Sequence, residues 1–236
     1  MKALILAGGK GLRLRPLTDD KPKPLVAVAG KPIAERQLDW LRASVDLEEA
    51  IFLCGWKWER LKEHFGDDYR GVKIDYSPEE SPLGTGGAFR KAILEKKIGD
   101  EDVAMLNGDI LTDLDLRKMV SAKDSAKGSP TVSILLVPYR SRFGIVHVKD
   151  GLVQSFEEKP AFKDVWINGG IYVANAKRLV KDLPAKGDIE RETFPRLAAA
   201  RKVAAYPYRG FWSLVDSIKD IQEVERELAS RGKATT

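Results

Sequence analysis

Residues 2–16, KALILAGGKGLRLRP, decide the fold, because an apolar run passes without a spacer into a loop of glycines and arginines. The run KALILA has the continuous apolar character of a buried strand. In open α/β sheets, ligands bind beyond the carboxyl ends of the strands, and the loop that follows KALILA lies at that end. The stretch therefore predicts an α/β fold and a ligand site after its first strand.

The same alternation of strand and helix patterns continues to about residue 128. Strands are predicted at 2–7, 49–55, 72–78 and 103–109. Helices are predicted at 31–45, 56–66 and 84–98. This βαβ order predicts a doubly wound, mostly parallel, Rossmann-like sheet.

After residue 129 the pattern changes to strands that are separated by turn residues, with helices between and after them. The strands are predicted at 130–138, 143–151, 152–160 and 166–175, with a hairpin turn at Lys149-Asp150-Gly151. The helices are predicted near 176–184, 188–201 and 218–232, and residues 231–236 are expected to fray. We therefore expect one domain over residues 1–236, made of a part at 1–128 and a smaller α+β part at 129–236.

Composition excludes several classes of protein. With 236 residues, 43% of them hydrophobic, the chain can bury a substantial core. No stretch reaches the roughly 18–20 apolar residues of a membrane span, and Cys54 is the only cysteine, so we expect a cytoplasmic protein without disulfides. The net charge of +5 is spread among both signs without a polybasic block, which argues against a nucleic-acid partner and favours a local site for an anionic ligand.

The glycine loop has the chemistry of a phosphate site. Its successive glycines expose backbone N–H groups to an anion, and its arginines add positive charge and forked donors. The dinucleotide fingerprint G-x-G-x-x-G fails because its third glycine would fall on Leu14, and no G-K-[ST] of a P-loop follows. We therefore predict phosphate binding by another kind of loop.

The longer stretch LILAGGKGLRLRPLTDDKPKPL, residues 4–25, resembles the signature of sugar-1-phosphate nucleotidyltransferases, L-A-G-G-x-G-T-R-L-x-P-L-T followed by P-K-P. Leu12 departs from it, since the family usually has a threonine there whose hydroxyl contacts phosphate. The resemblance implies a glycosyltransferase-A-like fold with a nucleotide-binding part (1–128) and a sugar-binding part (129–236). It also implies that nucleotide is bound by residues of this stretch, namely Ala7, Gly8, Gly9, Gly11 and Arg13, with Arg13 and Lys23 on its phosphates.

Four further motifs follow in the order expected for this family. SPLGTGGA (81–88) resembles the nucleobase loop, with Gly84 against the base, and LNGD (106–109) resembles the strand end that supplies Asn107 to the nucleotide and Asp109 to Mg²⁺. FEEKP (156–160) and WINGGIYV (166–173) resemble the segments that hold the sugar phosphate. The residues implied for the sugar phosphate are Gly144, Glu158, Lys159, Asn168 and Gly169.

The second metal ligand is the least regular part of the pattern. Many family members read W-x-D-I-G-T-P. In this chain Leu214 occupies the position of that aspartate, two residues after Trp212. Glucose-1-phosphate cytidylyltransferases read W-x-x-x-D-T instead, and that variant pattern assigns the ligand to Asp216. The alternative is an incomplete metal site in a protein with little activity.

The reaction implied by the resemblance joins a sugar 1-phosphate to an NTP, giving an NDP-sugar and pyrophosphate. Arg13, Lys23 and Lys159, with one or two Mg²⁺ held by Asp109 and Asp216, would offset the repulsion between the two polyanions. No general base is required, because the attacking phosphate oxygen is already ionised at neutral pH. A homodimer is compatible with the pattern.

The base is predicted from the acids ahead of SPLG. Many relatives have glutamine where this chain has Glu79 or Glu80, and a carboxylate only accepts hydrogen bonds, which suits the N1–H and N2–H₂ edge of guanine. We therefore favour GTP, with a mannose- or heptose-like sugar phosphate; the alternative is that both acids face water.

The stretch WINGG, residues 166–170, argues weakly against transfer to a non-sugar phosphate such as phosphocholine, and two further functions stay open from the sequence alone. One is a non-catalytic regulatory protein that binds a nucleotide sugar, which the departures at Leu12 and at 212–216 would suit. The other is a nucleotide-sugar-dependent glycosyltransferase that uses Asp113-Leu-Asp115 as its D-x-D motif. We expect this motif instead to cap the helix that follows it.

Overall fold

A computed structural model describes residues 1–233 of the chain. The first half contains β1 (Lys2–Ala7), β2 (Ala27–Val28), β3 (Lys31–Pro32), α1 (Ile33–Ser44), β4 (Glu49–Cys54), α2 (Glu59–Phe65), β5 (Asp68–Tyr69), β6 (Val72–Pro78), α3 (Gly84–Glu95), β7 (Asp102–Asn107), β8 (Ile110–Thr112) and α4 (Leu116–Ser125). The second half contains β9 (Val132–Arg140), β10 (Ile145–Lys149), β11 (Leu152–Glu157), β12 (Ala161–Asn175), α5 (Ala176–Leu179), α6 (Phe194–Ala199), β13 (Val203–Pro207), β14 (Trp212–Leu214) and α7 (Ile218–Lys233). Short 3₁₀ turns cover Leu12–Leu14 and Lys23–Leu25, and a π-helical turn covers Ile189–Thr193.

An eight-stranded sheet runs through both halves in the order β13-β9-β12-β7-β1-β4-β6-β5. Its centre, β7-β1-β4-β6, is parallel throughout, and β13 lies parallel to β9. β12 is antiparallel to both of its neighbours, and β5 is antiparallel to β6. The predicted α/β fold with a mostly parallel sheet is confirmed, and the part after residue 129 extends this same sheet with three strands.

The core lies on both faces of the sheet. Alternate residues of β1 enter different clusters, with Ile5 packed among the side chains of α1 and α4 and Leu4 packed beside α3 and Tyr172. A third, smaller cluster joins Leu14 to Val215 and to α7. This last cluster matters for the site, because it fixes the loop after β1 against the segment before α7.

Most predicted elements are confirmed with altered bounds; the strand predicted at 166–175, for example, begins earlier, as β12 at Ala161–Asn175. The four strands predicted in the first half are β1, β4, β6 and β7, and the predicted hairpin turn at 149–151 joins β10 to β11. The helix predicted near 176–184 is only the single turn of α5. Fraying from residue 231 is wrong for the first three residues, which belong to α7, and residues 234–236 lie outside the described part of the chain.

Residues 141–160 form a projecting segment, here called the hairpin arm. It leaves the sheet where Ser141 N donates to Pro160 O (2.9 Å), and within residues 1–233 its strands β10 and β11 pair only with each other. No helix in the described part of the chain is both long enough and apolar enough to cross a membrane.

Candidate active site

A cleft of about 1040 Å³ opens beyond the carboxyl ends of β1, β4, β6 and β7. It lies where the order of the parallel strands places a ligand site in an open α/β sheet. The residues predicted from the sequence that line it are Ala7, Gly8, Gly9, Gly11, Arg13, Lys23, Glu79, Gly84, Asn107, Asp109 and Asp216. The structure therefore brings the predicted nucleotide and metal residues to one cavity.

The glycine loop owes part of its composition to tight packing of the backbone. Trp56 N donates to Gly8 O (3.2 Å), and a Cβ at Gly55 would come within 2.5 Å of that same oxygen. Gly11 has a φ of +61°, and its carbonyl accepts from Leu14 N and Thr18 Oγ1, both at 2.9 Å. The loop is thus a fixed turn whose outer side faces the cleft.

Two acids from distant parts of the sequence meet at one end of the cleft because two short strands pair. β8 and β14 run antiparallel with Ile110 opposite Leu214, and Val215 N continues this ladder by donating to Asp109 O (2.9 Å). Asp109 and Asp216 flank the ladder, and their side chains share a cation, Lys23.

Two cations neutralise these acids in the protein itself. Lys23 Nζ lies 2.7 Å from Asp109 Oδ2 and 3.1 Å from Asp216 Oδ1, and Arg13 Nη2 lies 2.7 Å from Asp216 Oδ2. The side chains of Lys23 and Asp216 are only 11% and 13% exposed, whereas Arg13 is 73% exposed. Arg13 can therefore reorient toward a ligand, while Lys23 is held in place.

One acceptor of the acid pair is left over. Asp109 Oδ1 is buried and has no hydrogen-bond partner among the described residues. Asn107 Oδ1 is also buried and also lacks a partner among them. A buried carboxylate oxygen without a donor is costly, which points to a ligand that supplies positive charge. Residues 1–233 contain no cluster of three or more His, Cys, Asp and Glu side chains with metal-binding geometry.

Asp216 is positioned by the start of α7. Ser217 Oγ and Asp220 form a reciprocal cap: Ser217 N donates to Asp220 Oδ2 (2.7 Å), and Asp220 N is 3.3 Å from Ser217 Oγ. Asp216 N also donates to Asp220 Oδ2 (3.0 Å). The peptide that carries the second acid is therefore fixed by the helix cap.

The loop between β6 and α3 forms the other end of the cleft. Glu79 Oε2 accepts a hydrogen bond from Leu83 N (3.0 Å), and a Cβ at Gly8 would lie 2.8 Å from Glu79 Oε1. Glu79 is half-buried and Glu80 is exposed, although both line the cleft. Of the two acids, Glu79 is the one whose position is fixed.

The predicted sugar-phosphate residues do not line this cleft. Gly144, Glu158 and Lys159 belong to the hairpin arm, where Lys159 Nζ is 3.6 Å from Glu158 Oε1 and both side chains are about half exposed. Asn168 donates to Tyr172 OH (2.9 Å) and accepts from Gly170 N, while Gly169 O accepts from Trp212 Nε1 (2.7 Å). Asn168 and Gly169 nevertheless adjoin Gly170, where a Cβ would lie 2.7 Å from the Asn107 side chain, so the two β12 residues lie beside the nucleotide and metal group and the other three lie on the arm.

Trp56, Thr85 and Asp188 are among the side chains of the cleft wall that sequence reasoning did not assign to the site. Thr85 directly follows the predicted site residue Gly84, and Trp56 directly follows the predicted strand 49–55, so the sequence indicates the neighbourhood of both. Asp188 reaches the cleft from a loop of the second half, and the sequence carries no periodic signal for it.

The D-x-D motif is structural. Asp115 caps α4 by accepting from Arg117 N (3.2 Å), as predicted. Asp113 accepts from Phe211 N (2.9 Å) and from the hydroxyl of Tyr208. Neither acid lines the cleft. Cys54 is also structural, because burial raises the pKa of its thiol to about 12 and keeps it protonated.

A family model described as nucleotidyl transferase matches residues 2–231. The chain is 32% identical to D-glycero-alpha-D-manno-heptose 1-phosphate guanylyltransferase of Aneurinibacillus thermoaerophilus, a match that covers 97% of this chain and 98% of that protein. It is 36% identical to a probable mannose-1-phosphate guanylyltransferase of Arabidopsis thaliana over 93% of this chain. The chain spans 63% of the length of that plant protein.

Solved structures resemble the whole chain. HddC from Yersinia pseudotuberculosis has a TM-score of 0.73 and 25% sequence identity, with 96% of this chain and 99% of that chain covered. The same protein has also been crystallised in complex with GMP-PN. A putative glucose-1-phosphate thymidylyltransferase from Bacillus anthracis, 21% identical with a TM-score of 0.75, shares the fold.

Proposed function

The chain belongs to the nucleotidyl transferase family, and from that premise we propose that it is a sugar-1-phosphate guanylyltransferase of sugar-nucleotide biosynthesis. Its substrates would be GTP and a mannose- or heptose-type sugar 1-phosphate, and its products a GDP-sugar and pyrophosphate. The observation that carries this proposal is the network of Arg13, Lys23, Asp109 and Asp216 at one end of the cleft that the glycine loop borders.

The chemistry requires two polyanions to meet. A phosphate oxygen of the sugar phosphate attacks the α-phosphorus of the nucleotide, and pyrophosphate leaves on the opposite side. Two unit charges 4 Å apart repel by about 4 kcal/mol at an effective dielectric near 20, so cations must surround the reacting groups. Arg13 and Lys23 would supply that charge, and the N–H groups of Gly8, Gly9 and Gly11 would hold the phosphates.

The acid pair fits one or two Mg²⁺ ions. Mg²⁺ prefers oxygen ligands and is commonly held by one or two carboxylates together with substrate phosphates. Asp109 and Asp216 would provide those carboxylates, and the unpartnered, buried Asp109 Oδ1 is a ready ligand atom. The ion would neutralise charge that develops on the transferred phosphoryl group.

Base selection in this proposal begins with Glu79. Its carboxylate is fixed by Leu83 N at the end of the cleft opposite the acid pair and presents acceptors only. Such a group suits the N1–H of guanine and disfavours bases that present a carbonyl there. Two relatives that are 32% and 36% identical are named as guanylyltransferases of heptose and mannose phosphates, which supports the same choice.

The sugar phosphate is assigned to a second group of residues by their motif positions. Gly144, Glu158 and Lys159 lie on the hairpin arm, and Asn168 and Gly169 lie on β12 next to it. Lys159 would meet the phosphate of the sugar, and Glu158 would accept from its hydroxyl groups. The site of reaction would then lie between the cleft and the arm.

We also propose that the chain forms a homodimer through the hairpin arm. The arm carries six large apolar side chains that are 42–78% exposed: Phe143, Val146, Val148, Leu152, Val153 and Phe156. Monomers rarely expose contiguous apolar patches of more than a few hundred Å², and a standard interface takes about 800 Å² from each partner. In the dimer, the apolar side chains of one arm would pack against the same side chains of the second copy's arm. The same proposal includes a cytoplasmic location, where nucleoside triphosphates are made.

The experiment that tests the activity measures pyrophosphate release with each of four NTPs and a panel of sugar 1-phosphates in the presence of Mg²⁺. We expect turnover with GTP and a mannose- or heptose-type phosphate. Asp109→Asn and Asp216→Asn should each lower kcat by at least 10²-fold while the thermal unfolding midpoint stays close to that of the wild type. Exposed Asp124 on α4 gives the matched control, Asp124→Asn, which should keep full activity.

Two results would contradict the proposal. Tight binding of a GDP-sugar without release of pyrophosphate from any NTP would instead support a regulatory protein. Unchanged turnover in Asp216→Asn would show that the second metal ligand lies elsewhere.

A further inference from the structure

The segment from Gly187 to Glu192 crosses the start of α3 and is fixed to it by the backbone. Gly187 O accepts from Gly86 N (3.0 Å) and Gly87 N (3.2 Å), and Gly187 N donates to Leu83 O (2.8 Å). Three backbone hydrogen bonds therefore hold this loop of the second half against the predicted base loop. The next residue, Asp188, is carried into the cleft wall.

The position of Asp188 depends on the absence of a side chain at Gly84. Gly84 has a φ of +75°, and a Cβ there would lie 2.9 Å from Asp188 Oδ1 and 2.5 Å from Gly187 O. Any other residue at 84 would push Asp188 out of its place. The glycine that opens α3 thus has two roles, since it accepts the left-handed turn and leaves room for this carboxylate.

The carboxylate of Asp188 has no hydrogen-bond donor within residues 1–233. Its one ionic neighbour in this part of the chain is Arg191 Nε at 3.7 Å, and the Arg191 side chain is 85% exposed. The side chain of Asp188 is 44% exposed and faces the cleft. Two acceptor oxygens in a ligand cavity therefore lack donors, and a ligand with N–H groups would satisfy them.

Glu79 and Asp188 contact neighbouring residues at the start of α3. Glu79 binds the N–H of Leu83, and Asp188 lies against the Cα of Gly84, the next residue. A guanine base that lies against Gly84 offers three N–H bonds on one edge, one at N1 and two at N2. A single carboxylate that already accepts from Leu83 N does not satisfy all three.

We infer that Asp188 accepts a hydrogen bond from the N2 amino group of guanine and is a specificity-determining residue, with Glu79 at N1–H. The inference rests on the proposed guanylyltransferase function and adds a second base contact to it. Uracil, thymine, cytosine and xanthine carry a carbonyl oxygen at C2, which a carboxylate repels. Asp188 would therefore disfavour these bases as well as favour guanine.

Inosine triphosphate distinguishes the contribution of Glu79 from that of Asp188, because hypoxanthine keeps N1–H and lacks the N2 amino group. Steady-state pyrophosphate release from GTP, ITP and XTP is measured with mannose 1-phosphate for the wild type, Asp188→Asn, Glu79→Gln and the control Asp124→Asn. The dissociation constants of GTP and ITP are measured by calorimetry, which does not depend on turnover. The wild type should bind GTP at least tenfold more tightly than ITP.

Asp188→Asn should lower kcat/KM for GTP at least tenfold, leave ITP within about twofold, and raise the ratio of XTP to GTP turnover, because the asparagine amide can donate to the C2 carbonyl of xanthine. Glu79→Gln should weaken GTP and ITP alike. The control should match the wild type with all three nucleotides.

Three outcomes would overturn the inference: equal affinity of the wild type for GTP and ITP, equal losses of GTP and ITP turnover in Asp188→Asn, or a change in that variant confined to the KM for mannose 1-phosphate. Failure of the proposed function looks different, since the wild type would then release no pyrophosphate from any nucleotide. The calorimetric ratio of GTP to ITP would still test Asp188 in that case.

Discussion

Lys23 is held by two carboxylates at once, which makes it the central charge of the acid pair. Its ammonium group lies between Asp109 Oδ2 and Asp216 Oδ1, and its side chain is 11% exposed. In a partly buried site two neighbouring carboxylates repel strongly unless a cation lies between them. Lys23 therefore neutralises the site in the protein alone and would share this task with a metal ion when nucleotide binds.

Replacing Lys23 should lower the stability of the protein and make that stability depend on Mg²⁺. Lys23→Met leaves the two acids without their shared cation, so the variant should lose about 3 kcal/mol of unfolding free energy, and MgCl₂ without nucleotide should restore part of it. Each restored kcal/mol raises the unfolding midpoint by about 2–4 °C in a chain of this size. Lys10→Met is the control, because Lys10 lines the same cleft but packs on the Trp56 ring and has no acid partner among residues 1–233. Equal responses to MgCl₂ in wild type and Lys23→Met would contradict this account.

Leu12 is the residue where the glycine loop departs from the family signature. It is 58% exposed and lines the cleft, so its replacement disturbs no core packing. Leu12→Thr should raise kcat/KM for GTP several-fold, because a hydroxyl donor to a phosphate contributes about 1–2 kcal/mol. Leu12→Val is the matched control, since valine has the shape of threonine without the hydroxyl. Equal effects of the two substitutions would show that shape, not hydrogen bonding, matters at this position.

The N-terminal cap of α7 holds the backbone of Asp216 in place. Asp220 Oδ2 accepts from both Asp216 N and Ser217 N, so one carboxylate fixes the helix start and the backbone of Asp216 together. Asp220→Ala should lower the unfolding free energy by about 1 kcal/mol, and it should also raise the Mg²⁺ concentration needed for half-maximal turnover. A control outside the cleft lining is Asp115→Ala, which removes the cap of α4. Both variants should lose similar stability, and only Asp220→Ala should change the Mg²⁺ requirement; a change in both would mean that stability alone sets it.

The lengths of the strands explain which site residues could be predicted from the sequence. Gly8, Glu79 and Asp109 follow the long strands β1, β6 and β7, so the apolar runs predicted that they meet at one sheet edge. Asp216 joins them through β8 and β14, which have three residues each and carry no readable periodicity. Asp188 was missed for a related reason: it lies on an irregular loop that is held by backbone hydrogen bonds, and these leave no trace in side-chain patterns.

Across the whole molecule, one sheet connects both ends of the cleft to the second half of the chain. β12 lies beside β7 and carries Asn168 and Gly169 toward the strand end that supplies Asp109. The five residues assigned to the sugar phosphate by their motifs lie outside the cleft wall, and three of them are on the hairpin arm. Motif order fixes which strand carries a residue, but the distance between an arm and a cleft depends on tertiary packing.

The hairpin arm exposes an apolar face that we predict to form the homodimer interface. Val146 pairs with Phe156 and Val148 pairs with Val153, so four apolar side chains share one face of a two-stranded sheet. An isolated two-stranded sheet is marginally stable in water, and the outer edges of β10 and β11 pair with no strand in the described part of the chain. A two-fold axis beside the arm would place equal apolar faces together and extend the sheet, as isologous interfaces require.

The wild type should therefore sediment as a dimer at micromolar concentration, and Val148→Lys combined with Phe156→Lys should sediment as a monomer with an unchanged unfolding midpoint. Leu94→Lys is the control, because Leu94 is 51% exposed on α3, outside the arm. It should remain dimeric. A wild type that stays monomeric across the concentration range would refute the dimer. In that case a higher KM for the sugar phosphate in the arm variant would show that the apolar face closes on its own chain, because Glu158 and Lys159 directly follow β11.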